Sequence, residues 1–123
     1  MQRDLELIRK LLFWIEENCD GSHTYSSVQI HLDGYSLKEI NFNLSLMKEA
    51  NLICLVPSPR ANPNARNVQF TRQTNEGCDF LDSIRNDSSW NKVKEKLLEL
   101  GGSFTLTIVK DLAIRLLESN AKL

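Results

Sequence analysis

The sequence has no apolar run approaching the roughly 20 residues needed to span a bilayer, and Met1-Gln2-Arg3-Asp4 passes at once into an amphipathic pattern. Neither a membrane segment nor a secretory leader is therefore expected. Cysteine is scarce: Cys19, Cys54 and Cys78 are odd in number and widely spaced, which argues against a disulfide framework and a Cys-x-x-Cys metal knuckle. They suit a reducing, cytoplasmic compartment, and each reads as a buried small residue. Charge of one sign is also lacking, because 15 Lys and Arg against 16 Asp and Glu leave a net charge of -1. Any nucleic-acid contact must then come from a local patch.

Catalytic signatures are missing as well. There is no Gly-rich phosphate loop, Gly-x-Ser-x-Gly elbow or His-Glu-x-x-His pair. The two histidines, His23 and His31, are eight residues apart with no third ligand near them and read as surface residues, not a metal site. Glu16-Glu17 falls where a solvated helix face is expected. The expectation is a protein that is not an enzyme, with no cofactor and no small-molecule substrate.

What is present fits one domain, residues 1–123, with a composition ordinary for a globular chain at 41% hydrophobic and 25% charged residues. From Asp4 to Asn18, Leu5, Ile8, Leu12 and Ile15, widened by Leu7, Leu11 and Trp14, follow the helical period, and Asp20-Gly21 supplies a stop. Val28, Ile30 and Leu32 alternate with Gln29, His31 and Asp33, the two-residue period of a short strand. Ser36 and Glu39 have capping-box spacing, flanked by Tyr35 and Ile40 as a hydrophobic staple. The helix they open runs to about Ala50, with Leu37, Ile40, Leu44 and Met47 as its core stripe and Asn51 where a left-handed residue is favoured.

Leu52 to Val56 and Val68 to Thr74 read as an antiparallel pair. Pro57 to Asn67 lies between them and holds all three prolines of the chain, so it must be an exposed loop. Thr74 suits the cap of a further helix to about Asn86 with Cys78, Leu81 and Ile84 on one side. Ser88 or Ser89 can start the next, carrying Trp90, Val93, Leu97 and Leu100 and ending at Gly101-Gly102. Ser103 or Thr105 begins the last, where Leu106, Ile108, Val109, Leu112, Ala113, Ile114, Leu116 and Leu117 predict burial on more than one side.

Helix, short strand, capped helix and a hairpin with an exposed tip is the element order of a winged helix with its middle helix shortened or missing. The expected fold is mainly α (α+β): a winged-helix-like unit with a two-stranded wing over residues 1–74, and a helical extension, 75–123, packed on it. Leu46-Met47-Lys48-Glu49-Ala50-Asn51-Leu52-Ile53 looks like a recognition helix running into its wing, and Phe70 to Gly77 like the wing strand entering the next helix.

Nearly the whole chain also resembles an uncharacterised bacterial and prophage-associated winged-helix-like family, domain of unknown function 2513. The resemblance runs through Arg3 to Lys10, Gly34-Tyr35-Ser36, Glu49 to Ile53, Thr74 to Asp82 and Trp90 to Lys94. It implies phage or prophage biology and no particular activity. Two positions depart from its pattern: Asn43 and Cys78 stand where His is expected.

On the capped helix, Lys38, Asn41, Ser45 and Lys48 form a stripe of donors and cations suited to base edges and phosphates. A solvated face next to Glu49 is the alternative. No Asp or Glu occurs from Ala50 to Asn75 while Arg60, Arg66 and Arg72 do, so Arg60 and Arg66 at the loop tip are expected to grip phosphate. A partnerless solubilising loop is the alternative there. Phe42 and Leu46 fall away from the core stripe and need covering, either by the C-terminal helices or by a protein partner or homodimer contact. The expected function is duplex-DNA binding by a small regulator; the rival is a protein-interaction module on the same scaffold without nucleic acid.

Overall fold

The computed structural model describes residues 1–55, 67–101 and 104–121. They form a mainly helical α+β chain with one small three-stranded antiparallel sheet. The chain divides into two compact units, Met1–Gly77 and Cys78–Leu123. No helix among the described residues is long and apolar enough to cross a membrane.

The first unit begins with helix α1, Leu5–Asn18, whose N-cap Asp4 accepts a hydrogen bond from the Leu7 backbone N–H at 3.0 Å. Leu7, Ile8, Leu11, Leu12 and Ile15 are its buried residues. Each such side chain contributes about 1.5–3 kcal/mol when removed from water. Beyond α1 the expected strand at Val28 to Leu32 is displaced. The strand is β1, Tyr25–Ser26, and the chain then winds into a 3₁₀ turn, Ser27–Gln29. Local side-chain bonds override the alternating pattern: Gln29 Oε1 accepts from the Ser26 N–H at 2.7 Å, and Ser26 Oγ from the Val28 N–H at 3.4 Å. Ile30 is buried and Val28 is 46% exposed.

Helix α2, Leu37–Glu49, starts at Ser36 with both halves of the capping box in place, the Glu39 N–H donating to Ser36 Oγ and the Ser36 N–H to Glu39 Oε1, each at 3.2 Å. Its buried residues are Ile40, Asn43, Leu44 and Met47. Leu37 is not part of that stripe; as the first helical residue it lies at the open end of the packed face, 42% exposed. Asn51 takes the left-handed conformation, φ 61°. Around it the Leu52 N–H donates to the Met47 carbonyl at 2.8 Å and the Asn51 N–H to that of Lys48 at 2.9 Å, the paired bonds of a Schellman terminus.

The expected hairpin is present as β2, Ile53–Leu55, and β3, Gln69–Gln73. Strand β3 is central, with the sheet order β1-β3-β2 and both neighbours antiparallel. Tyr25 pairs with Phe70, Cys54 with Arg72, and the β2 register slips between Cys54 and Leu55. Helix α3, Asn75–Ile84, follows at once. Thr74 caps it, accepting the Gly77 N–H on Oγ1 at 2.9 Å while its own N–H reaches the Leu52 carbonyl at 2.9 Å.

In the second unit α4 spans Asp87–Glu99 and α5 spans Leu106–Ala121. Asn86, not Ser88 or Ser89, caps α4: its Oδ1 accepts the Ser89 N–H at 2.7 Å, which places both serines inside the first turn. Trp90, Val93 and Leu97 are buried, but Leu100 lies past the last turn and is 66% exposed. Thr105 opens α5, with Oγ1 accepting the Ile108 N–H at 3.2 Å. Gly102 and Ser103 lie outside the described residues. Burial of α5 is graded: Leu106, Val109 and Ala113 are buried at helical spacing, Leu112, Ile114 and Leu116 are half-buried on the two flanks, and Ile108 and Leu117 are exposed.

The three cysteines are free and half-buried, so full burial does not hold for them. Partial desolvation, followed by the charge of Asp20, pushes the Cys19 thiol up to about 11.

Candidate nucleic-acid interface

At 3.6 residues per turn, the buried Ile40, Leu44 and Met47 fix which side of α2 faces outward. Lys38, Ser45 and Glu49 point directly away from them, and all three are exposed. Lys48 is exposed at one edge of this outer face, and Asn41 is half-buried next to it. Ser45 Oγ donates to the Asn41 carbonyl at 3.0 Å, so its lone pairs stay available to a donor outside the helix.

Asn41 does a different job from the one its place in the stripe suggests. Its Oδ1 accepts the Val68 N–H at 3.1 Å, and its Nδ2 reaches Asn67 Oδ1 at 3.4 Å. The amide ties α2 to the residues entering β3. Ser27 Oγ also accepts from Val68 at 3.2 Å. Two side chains thus hold the backbone of Val68 at the entry to β3.

Arg60 and Arg66, and Pro57 to Arg66 as a whole, lie outside the described residues. Arg72, on β3, is exposed; its guanidinium donates to the neighbouring Gln73 carbonyl at 2.9 Å and its stem lies across Gly21. Phe42 and Leu46 are half-buried, neither core nor fully wet.

Two features escaped the sequence. Asn43 sits within the apolar stripe, 1% exposed, a position that its spacing from Ile40 and Met47 implied. The other is an aromatic series that helical or strand periodicity could not signal. His23 stacks on Tyr25 with ring centroids 6.5 Å apart, Tyr25 on Phe70 at 6.2 Å, and Trp14 meets Phe70 edge-on at 6.1 Å. Next to it Asp20 Oδ1 accepts both the N–H and the hydroxyl of Ser22, and Ser22 Oγ lies 2.8 Å from His23 Nδ1. The Ser22 side-chain bond is the main reason that the Asp20 carboxyl is held below its usual range.

Among the described residues no group of His, Cys, Asp and Glu is placed to hold a metal ion. A groove of about 420 Å³ lies between the 3₁₀ turn and the start of α2, lined by Val28, Ile30, Leu37 and Ile40, with His31, Asp33 and Tyr35 as its titratable residues.

The family described as hypothetical protein (DUF2513) matches residues 2–103. A curated protein of Haemophilus influenzae, described as uncharacterized, is 25% identical over 113 residues, which covers 92% of this chain and 92% of that protein. No solved structure matches significantly.

Proposed function

The chain belongs to the DUF2513 family, and from that premise we propose that it is a winged-helix-like protein that binds duplex DNA as a small phage- or prophage-associated regulator. The observation that carries the reading is the order α1, β1, 3₁₀ turn, α2, β2, β3 with β3 central. In this reading α2 is the counterpart of a recognition helix, β2 and β3 are the stem of a wing, and the 3₁₀ turn stands in place of the middle helix. Lys38 and Lys48 are exposed on α2, and the segment from Ala50 to Asn75 has no acidic residue.

In this reading α2 enters the major groove. Lys38 and Lys48 supply donors to base edges and phosphates, Ser45 offers its hydroxyl oxygen as an acceptor, and Arg60 and Arg66 hold the backbone. Asn41 contributes by anchoring the wing stem, not by reading a base. Fluorescence anisotropy with labelled random duplex tests it: the wild type binds at low salt, and Lys38→Ala with Lys48→Ala weakens binding on every sequence.

A protein-interaction module is the second reading, and the groove beside α2 favours it, because Val28 and Leu37 are both more than two-fifths exposed there, at 46% and 42%. A partner seated in that groove makes Leu37→Asp abolish the function while leaving DNA binding at background for every variant.

A further inference from the structure

We draw no further inference here: the strongest candidate, the apolar groove between the 3₁₀ turn and the start of α2, holds Val28 and Leu37 exposed at its rim, but nothing in the structure shows what covers it.

Discussion

The side chain of Asn43, buried on α2, accepts a hydrogen bond at 2.9 Å from the backbone N–H of Asp4, the residue that caps α1. Its Nδ2 donates to the Glu39 carbonyl at 2.9 Å, so both ends of the amide are engaged. One side chain thereby joins the start of α1 to the middle of the helix proposed to read DNA. Asn43→Ala leaves the partly buried Asp4 N–H without this partner and opens a small cavity, and is expected to lower stability by about 1–2 kcal/mol. Urea denaturation measures it; an unchanged midpoint would show that the bond is dispensable.

Gly77 is required by space. A Cβ there would clash with the Leu52 carbonyl oxygen, on a helix whose first turn Thr74 already ties to the same carbonyl. Helix propensity favours Ala over Gly by about 1 kcal/mol. The clash is with backbone and reverses the sign, so Gly77→Ala is expected to destabilise by about 2 kcal/mol or more. Thermal unfolding gives the sign directly: a raised midpoint contradicts the packing.

The elements were legible where a periodic stripe and a local cap agreed. Ser36 with Glu39, Thr74, and Asn51 with its left-handed backbone all stand where the text places them. The misplaced strand shows the limit, since Ser26 and Gln29 bond to nearby backbone and outcompete the alternation of Val28, Ile30 and Leu32. Of the site, the outward side of α2 was legible because periodicity fixes a direction. The role of Asn41 was not, because its partner Val68 is 27 residues away and joined through a fold that no local pattern encodes.

Cys19 gives a pH dependence. Its thiol ionises only near pH 11, against 9.0 for the unperturbed group. The folded state thus favours the protonated form, so this contribution to stability is complete below pH 9.0 and is lost as pH rises toward 11. Alkylation of Cys19 by iodoacetamide at pH 8.5, followed by peptide mass spectrometry, should be slower in the folded protein than in urea. Equal rates would contradict the burial.

Glu49 is the carboxylate on the outer side of α2, exposed beside Lys48. Neutralising it removes repulsion from phosphate without touching the core. Glu49→Gln is expected to tighten duplex binding by roughly threefold to tenfold at low salt, with the gain shrinking as salt rises. Anisotropy titration reads this, and weaker binding would mean that Glu49 accepts from a base.

The central claim is that α2 and the basic loop contact the DNA backbone, and the salt dependence of binding tests it most directly. Random-sequence duplex is titrated with wild type and with a variant carrying Lys38→Ala, Lys48→Ala, Arg60→Ala and Arg66→Ala, over a series of salt concentrations. The predicted result is a wild-type affinity that falls linearly in log–log form, with a slope reduced in the variant by about 3 to 4, near one for each cation removed. Equal slopes for the two proteins, or no binding by either at low salt, would contradict it.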